Sequence, residues 1–313
     1  MCKLFILTKT DKLTETQLSN LINAIHNPLT ETENQGFGWA LWGEKGLFGE
    51  KFVNPDDFFL SRADFGPIAE VVTSKLEMNS FGVASKPVGA LLVHGRTSTN
   101  EVSLANTHPL INNDWALVHN GVVYNTGKEI KRKTTNDTEF ILEHYTQGGI
   151  EQVVESIEGY YACGMINTKT GNLAVFRDAT ARLYVSWIKE LEAYAFATTE
   201  EILITALESL DLMDSPIRHA NTNFHLVFKP NGETVLWDSF EPKLRSFGAL
   251  DKKSLGSSVK DFSNFDMDIP KYRDDYPSEW RNVRTGEVIE DDEFELMHID
   301  EQMGYEPVYS KAS

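Results

Sequence analysis

After Met1 the chain continues with the segment Cys-Lys-Leu-Phe-Ile-Leu, residues 2–7, which places a cysteine directly before a run of apolar residues. This run predicts a buried β-strand, and such a strand would hold Cys2 at the end of a sheet. If Met1 is removed, Cys2 becomes the amino terminus and carries a thiol and an α-amine together. An α-amine with a pKa of about 7.7 to 8.0 can accept the proton of the thiol near neutral pH. One residue would then supply a nucleophile and its base.

A cysteine at this position also occurs by chance, in a protein that keeps its initiator methionine. A nucleophile alone does not make an enzyme, because catalysis also needs a site for the oxyanion and a clamp for the substrate. The catalytic hypothesis for Cys2 therefore depends on whether the remaining sequence supplies these two parts.

Composition limits the class of protein. The 313 residues carry a formal net charge of −18, which argues against a nucleic-acid-binding protein, because phosphate backbones attract an excess of Lys and Arg. The sequence contains no signal-peptide pattern and no run of the roughly 20 apolar residues that a membrane helix needs, so we predict no membrane association. The two cysteines are Cys2 and Cys163, so we expect no disulfide framework and a cytoplasmic protein.

The negative charge is concentrated near the C-terminus. Residues 263–313 contain 14 acidic and 5 basic side chains, which is half of the net charge in the last sixth of the chain. We therefore predict a folded domain over residues 2–240 and an acidic C-terminal extension over residues 241–313. A hairpin pattern at residues 280–289, turning at Thr285-Gly286, and several aromatic residues predict an extension that is partly ordered or docks a partner.

The spacing of apolar residues predicts an α+β fold. Strands are predicted at residues 3–7, 36–42, 88–94, 160–167, 172–177, 194–197, 225–229 and 234–237. Helices are predicted at residues 14–26, 137–145, 150–157 and 199–208, with Asn27-Pro28 ending the first of them. Because strands cluster in consecutive hairpins and helices fall in separate groups, we expect largely antiparallel sheets.

Three short polar motifs lie within 28 residues, two of them at the ends of predicted strands. They are His94-Gly-Arg96-Thr-Ser-Thr99, Asn106-Thr-His108-Pro109 and Val118-His119-Asn120-Gly121. The planar guanidinium of Arg96 is suited to a bidentate grip on a carboxylate. The Asn120 side chain and the Gly121 N–H form a candidate pair of donors for an oxyanion.

A fourth motif, Thr135-Asn136-Asp137-Thr138-Glu139, precedes a predicted helix. Asn136 or Asp137 could simply cap that helix. Alternatively, Asp137 supplies a carboxylate for a substrate ammonium group. Both interpretations are open from the residues alone.

Taken in order, Cys2 and these four motifs resemble the class II glutamine amidotransferase domain, an N-terminal-nucleophile hydrolase. The segment Asn34-Gln-Gly36-Phe-Gly38-Trp39-Ala40 and Trp115 are similar to the stand-alone subgroup of these domains. Later stretches, at residues 177–178 and 196–200, extend the resemblance over roughly residues 2 to 240. The resemblance implies a four-layer αββα sandwich of two antiparallel sheets.

The resemblance also implies a role for each motif residue. Cys2 would be the nucleophile and its α-amine the base, while Asn120 and Gly121 would stabilise the oxyanion. Arg96 would hold the α-carboxylate of glutamine, Asp137 would hold its α-ammonium group, and Thr99 would belong to the same substrate site. Asn100, directly after that threonine, departs from the family pattern and bears on the loop around glutamine.

The implied reaction is hydrolysis of the glutamine side-chain amide through a Cys2 thioester, giving glutamate and ammonia for a synthase on another chain. Two alternatives are a free-standing hydrolase of another γ-glutamyl or acyl amide, and a catalytically idle assembly protein. We predict no cofactor and no metal, because no further cysteine or carboxylate cluster stands at ligand spacing from the motif histidines. Cys163, in an apolar segment, is expected to be a core residue.

Overall fold

The computed structural model describes residues 2–30, 35–55, 87–97, 101–125, 130, 132–240, 279–282, 288–290 and 305–308. The chain divides into two compact units, residues 1–245 and 246–313.

The described part of the first unit contains thirteen strands and three helices. The strands are β1 (Lys3–Leu7), β2 (Phe37–Gly43), β3 (Gly46–Phe52), β4 (Pro87–Gly95), β5 (Leu110–Ile111), β6 (Trp115–Asn125), β7 (Glu158–Asn167), β8 (Leu173–Arg177), β9 (Tyr184–Ile188), β10 (Ala193–Ala197), β11 (Ile217–His219), β12 (Phe224–Phe228) and β13 (Thr234–Ser239). The helices are α1 (Glu15–Thr30), α2 (Thr138–Ser156) and α3 (Glu200–Ser209).

These strands form two sheets in which all the neighbouring pairs are antiparallel. The first sheet has the order β11-β9-β10-β1-β4-β2-β3, and the second has the order β13-β12-β8-β7-β6-β5. Strand β1 lies in the middle of the first sheet, between β10 and β4. The end of the chain at Cys2 is therefore anchored by two neighbouring strands, as the sequence predicts.

The two sheets pack face to face through β1 and β4 on one side and β6 and β7 on the other. Gly164 of β7 allows this approach, because a Cβ atom there would lie 2.5 Å from Ile6 Cδ1 and 3.0 Å from Leu92 Cδ2. Ile6 and Leu92 are fully buried, so this contact surface excludes water. Close packing of the sheets brings the end of β4 to the middle of β6, because His94 bonds to His119 and β6 continues to Asn125. The prediction that the motif at residues 118–121 lies at the end of a strand is therefore wrong.

Helices cover both outer faces. Helices α1 and α3 pack on the first sheet, and α2 packs on the second. Each helix–sheet layer has its own apolar core. The predicted αββα sandwich is confirmed. None of the described helices has both the length and the apolar character that a membrane crossing requires.

The prediction that Asn27-Pro28 ends the first helix is wrong, because α1 continues to Thr30 with Pro28 inside it. Leu29 is only 2% exposed and belongs to the core under α1, so burial compensates for the backbone hydrogen bond that proline removes. The carbonyl oxygen of Leu29 lies 1.9 Å from where a Cβ atom of Gly95 would be. Gly95 thus lets the end of α1 press against the end of β4.

The predicted break between two helices near residue 149 is confirmed within α2. Gly148 (φ −159°, ψ 23°) and Gly149 (φ 70°, ψ −156°) leave helical geometry there.

Strands β3, β9 and β11 were not predicted. Gly46, with φ 118°, begins β3 directly after a two-residue hairpin connection. Short strands such as β9 and β11 depend on pairing with their neighbours rather than on a local pattern.

The second unit contains a three-stranded antiparallel sheet of β14 (Glu279–Asn282), β15 (Val288–Glu290) and β16 (Tyr305–Val308), with β14 in the middle. Trp280 pairs with Ile289, which confirms the predicted hairpin. The turn at Thr285-Gly286 lies outside the described residues.

Candidate active site

Cys2 lies at the end of β1, next to the end of β4. The register pairs Lys3 with Gly95, which places Cys2 beside the segment that follows β4. Its sulfur donates a hydrogen bond to the carbonyl oxygen of Thr97 at 3.3 Å. The residue is partly exposed and its thiol is free. The candidate nucleophile is therefore held in place by its neighbours.

The environment of Cys2 favours the protonated thiol. Burial of the sulfur raises the pKa of Cys2 above 9.0, the charge of Arg96 opposes this shift, and the charge of Asp137 adds to it. Both Arg96 and Asp137 are thus close enough to act on the sulfur electrostatically. A thiol in this state needs a base before it can attack a carbonyl carbon.

Arg96 follows β4 and is 4% exposed. Its backbone N–H donates to the carbonyl oxygen of Gly36 at 2.7 Å, which continues the sheet beyond the end of the strand. Its Nη2 atom donates to the carbonyl oxygen of Glu101 at 3.1 Å. Burial lowers the pKa of the guanidinium, while the charges of Cys2 and Asp137 raise it. The backbone and the side chain of Arg96 are both fixed by hydrogen bonds.

A histidine connects the two sheets at this point. The Nε2 atom of His94, on β4, donates to the carbonyl oxygen of His119, on β6, at 3.0 Å. Because Arg96 and Asn120 follow these two histidines closely in sequence, the bond holds both motifs at the same edge of the sandwich. Asn120 is 4% exposed, and its buried Oδ1 atom has no hydrogen-bond partner among the residues that the structure describes. A buried amide in this state is a candidate for contact with a ligand.

Gly121 has a backbone conformation that other residues rarely adopt. Its φ is 143°, and a Cβ atom there would lie 2.0 Å from the carbonyl oxygen of Tyr160 on the neighbouring strand β7. Only glycine fits without moving the strand pair. The glycine conformation therefore sets the direction of the backbone next to Asn120.

Asp137 comes directly before α2, but its side chain makes no capping hydrogen bond to that helix. Its Oδ2 atom accepts from the backbone N–H of Val123 on β6 at 2.8 Å. Asn136 takes the local role instead, because its Oδ1 atom accepts from the N–H of Thr138 at 3.0 Å. The carboxylate of Asp137 therefore faces β6 and the predicted site rather than the helix end.

The structure thus brings Cys2, Arg96, Asn120, Gly121 and Asp137 to one edge of the sandwich. Thr99 and Asn100 lie outside the described residues. Within the described part of the chain, no group of three or more His, Cys, Asp or Glu side chains is arranged to hold a metal ion.

Comparison with known families agrees with this geometry. Residues 94–205 match the family model of the glutamine amidotransferase domain. The matched segment begins at His94 and includes β6 and α2, so it contains the loops and strands that carry Arg96, Asn120 and Asp137. Residues 94–205 are therefore similar to a glutamine amidotransferase domain. The comparison with curated proteins found no match.

Solved structures are similar to the fold of this domain. An allosteric regulatory enzyme of purine biosynthesis is 17% identical with a TM-score of 0.51, and the alignment covers 77% of this chain and 49% of that chain. A glutamine phosphoribosylpyrophosphate amidotransferase from B. subtilis is 19% identical with a TM-score of 0.45 and the same two coverages, 77% and 49%. A glutamine aminotransferase class-II domain protein from Silicibacter pomeroyi is 12% identical with a TM-score of 0.42, covering 77% and 100%.

At these identities the likeness is one of fold. The two antiparallel sheets and their covering helices form an αββα sandwich, and this fold is what the likeness concerns. The chain spans about half the length of the first two of these structures, 49% in each case.

Three motif histidines form a buried cluster in which two of the rings share one hydroxyl. The Oγ1 atom of Thr138 lies 2.9 Å from His108 Nε2 and 2.9 Å from His119 Nδ1. The hydroxyl has one proton, so it donates to at most one of the two rings and accepts from at least one of them. The ring centroids of His94 and His108 are 4.0 Å apart. Burial lowers the pKa of all three histidines, that of His94 to about 3, so the cluster is neutral at physiological pH.

Sequence reasoning did not assign a role to Asn106 or Thr138, although both lie in motifs that it singled out. Asn106 is 2% exposed and bonds to residues in two other segments. The sequence feature that could have indicated a role for Asn106 was the motif Asn106-Thr-His108-Pro109 itself. A single sequence cannot show which atoms such a polar motif bonds to, because those partners come from distant segments.

A buried histidine of the second sheet predicts acid lability of the domain. His225 is 4% exposed, its Nε2 atom lies 2.8 Å from Tyr145 Oη, and burial lowers its pKa from 6.5 to about 4. The unfolded chain binds a proton at this histidine below pH 6.5, whereas the folded chain does so only near pH 4. The free energy of unfolding therefore decreases as the pH falls from 6.5 to about 4, and this residue contributes about 1.4 kcal/mol of that decrease per pH unit.

Urea unfolding of the wild type and His225→Phe at pH 7.5, 6.0 and 5.0 measures this contribution. We expect the variant to be less stable at pH 7.5, because it loses the bond to Tyr145, and to lose stability more slowly on acidification. Equal pH slopes for the two proteins would contradict the assignment of a neutral buried His225.

Proposed function

We propose that the chain hydrolyses the side-chain amide of glutamine, with Cys2 as an N-terminal nucleophile. The observation that carries this proposal is the convergence of Cys2, Arg96, Asn120 and Asp137 at one edge of the sandwich, maintained by the bond from His94 to the His119 carbonyl. A nucleophile, an amide donor and two opposite charges are the parts that an amidotransferase reaction on an α-amino acid requires.

In the first step the Cys2 thiol attacks the carbonyl carbon of the glutamine side chain. Since burial raises the pKa of this thiol, a base must take its proton during attack. After removal of Met1, the α-amine of Cys2 is the base, and its pKa of about 7.7 to 8.0 suits operation near neutral pH. The protonated amine then gives the proton to the departing nitrogen, so ammonia leaves and a γ-glutamyl thioester remains.

The tetrahedral intermediate carries a negative oxygen, which we assign to the Asn120 side-chain N–H and the Gly121 backbone N–H. Support comes from the burial of the Asn120 side chain and from the glycine-specific conformation of Gly121. Two preorganised donors away from bulk water stabilise such an oxyanion more than they stabilise the neutral amide. Water, activated by the same α-amine, then hydrolyses the thioester to glutamate and restores the thiol.

Two charged groups would orient the substrate. Arg96 holds the α-carboxylate of glutamine and Asp137 holds its α-ammonium group. The hydrogen bonds that fix Arg96 and Asp137 support this assignment, because preorganised groups lose little entropy on binding. We assign Thr99 to the same substrate site from its place in the motif that contains Arg96.

We further propose that a synthase on another chain uses the ammonia. The alignment with the purine-biosynthesis enzyme covers 49% of that longer chain, so the likeness concerns only part of such an enzyme.

We also propose residues 2–240 as the catalytic domain and residues 241–313 as an acidic extension that is partly ordered or docks a partner. Because the reaction needs a free Cys2 thiol, we propose a reducing compartment, the cytoplasm.

Incubation of the purified chain with glutamine tests the reaction, with glutamate and ammonia measured together. We expect both products in equal amounts and much slower hydrolysis of asparagine and simple acyl amides. Labelling with the glutamine analogue diazo-oxo-norleucine, followed by peptide mass mapping, should place one adduct on Cys2.

The alternatives give different results in the same experiment. Preferential hydrolysis of another amide in the panel would identify a free-standing hydrolase with a different substrate. An intact mass that includes Met1, together with no product from any amide, would identify an idle protein. An adduct at any residue other than Cys2 would overturn the mechanism.

A further inference from the structure

Asn106 is the centre of a hydrogen-bond network in the described part of the site. Its Nδ2 atom donates to the carbonyl oxygen of Glu101 at 2.9 Å and to Thr135 Oγ1 at 2.8 Å. Its Oδ1 atom accepts from the backbone N–H of Thr135 at 3.1 Å, and its own carbonyl oxygen accepts from Asn136 Nδ2 at 2.7 Å. One asparagine, 2% exposed, thereby joins two segments 29 residues apart in the chain.

The first of these segments includes Glu101 and contacts Arg96, the proposed clamp for the substrate carboxylate. The carbonyl oxygen of Glu101 accepts from Asn106 Nδ2 and also from Arg96 Nη2, at 3.1 Å. A single backbone oxygen is therefore shared by the asparagine and the guanidinium. Displacement of this oxygen would change the direction in which Arg96 points.

The second segment contains the proposed ammonium clamp. Asn106 bonds to Thr135 and Asn136, the two residues directly before Asp137. Asn136 in turn accepts from the N–H of Thr138, at the start of α2. The position of the Asp137 backbone relative to the loop that binds Arg96 is thus set by the asparagine between them.

We propose that Asn106 is a positioning residue that fixes the separation of Arg96 and Asp137, and so makes the site selective for substrates that carry both an α-carboxylate and an α-ammonium group. This inference rests on the proposed function. The side chain matches the task, because both amide hydrogens and the amide oxygen are used. An aspartate of the same shape has no amide hydrogens, so it cannot donate to the Glu101 carbonyl or to Thr135.

Three variants with one matched control test the proposal. Asn106→Asp keeps the shape and removes the donor, Asn106→Ala removes the side chain, and Thr135→Val removes one acceptor at an exposed position where folding is not at risk. The control is Asn112→Ala. The side chain of Asn112 makes four hydrogen bonds, to Glu143, Thr146 and the N–H groups of residues 114 and 115, none of which belongs to the two clamp segments.

The readouts separate positioning from stability. We expect both Asn106 variants to raise the KM for glutamine by about tenfold or more while kcat stays within about threefold, and Thr135→Val to raise KM by about threefold. The rate of Cys2 alkylation by iodoacetamide should stay within about twofold of the wild type, because this reagent has neither α-group. Asn112→Ala should lower the melting temperature and leave KM unchanged.

The affinity for glutamine of the Cys2→Ser protein, measured with and without Asn106→Asp, tests the same proposal by binding instead of by kinetics. If the wild type does not hydrolyse glutamine, the proposed function fails and this inference falls with it. If the wild type hydrolyses glutamine but Asn106→Asp and Thr135→Val leave KM and affinity unchanged, the inference alone is overturned. A KM increase of the same size in Asn112→Ala would overturn it as well, because general loosening would then explain the effect.

Discussion

Replacement of Cys2 by alanine should lower glutamine hydrolysis by at least about 10⁴-fold, because removal of a nucleophile leaves only the rate that binding and the oxyanion site support. The sulfur of Cys2 is the attacking atom in the proposed mechanism, and the chain contains one other cysteine, Cys163. Glutamate formation is the measurement, with diazo-oxo-norleucine labelling as a second readout. The alanine variant should take up no label.

Cys163→Ala is the matched control. Cys163 is fully buried in β7, and burial raises the pKa of its thiol well above 9.0, so it is not a nucleophile at neutral pH. We expect this variant to lose some stability and to keep its activity below its melting temperature. Full activity in the Cys2→Ala protein, or full activity in a preparation whose intact mass includes Met1, would contradict the N-terminal mechanism.

The second large effect is expected at Asn120. Asn120→Ala removes one of the two proposed oxyanion donors and should raise the barrier by about 2.7 to 4 kcal/mol, which is about a 100- to 1,000-fold loss in kcat. KM should change little, because the donor acts on the charge that develops after substrate binding. Steady-state kinetics with glutamine measures both parameters.

Two further variants make this test specific. Asn120→Asp has the same shape but no N–H donor, and its negative charge would repel the oxyanion, so we expect a loss at least as large. Asn112→Ala removes an asparagine whose hydrogen bonds lie elsewhere in the domain and should retain kcat. A KM increase with kcat intact in Asn120→Ala would show that Asn120 binds the ground state and would remove it from the oxyanion site.

Much of the fold was predictable from local patterns. The apolar run of β1, the strand β4 and the glycine break in α2 are properties of a few adjacent residues. The extension of α1 through Pro28 was not predictable, because the burial of Leu29 that compensates for it depends on a strand far away in the chain. Strands β9 and β11 were missed because these short segments depend on sheet pairing rather than on a local pattern: β9 pairs with β10 on one side and with the more distant β11 on the other.

The candidate site, like the fold, was predictable from the sequence only in part. The sequence by itself determined which residue types are present: a cysteine behind Met1, an arginine, a His-Asn-Gly motif and an aspartate before a helix. It left open whether Asp137 caps α2 or faces the site. The bond from Val123 to the Asp137 carboxylate and the absence of a capping bond place the carboxylate toward β6.

Only the tertiary structure decided how these residues meet. The His94 bond to the His119 carbonyl joins the two sheets, and the Asn106 bonds join the segment after β4 to the segment before α2. Such contacts depend on the packing of two sheets from distant parts of the chain. Local propensity acts over a few residues, whereas hydrogen bonds between buried polar groups are specified by whichever segments the packed core brings within about 3 Å of each other.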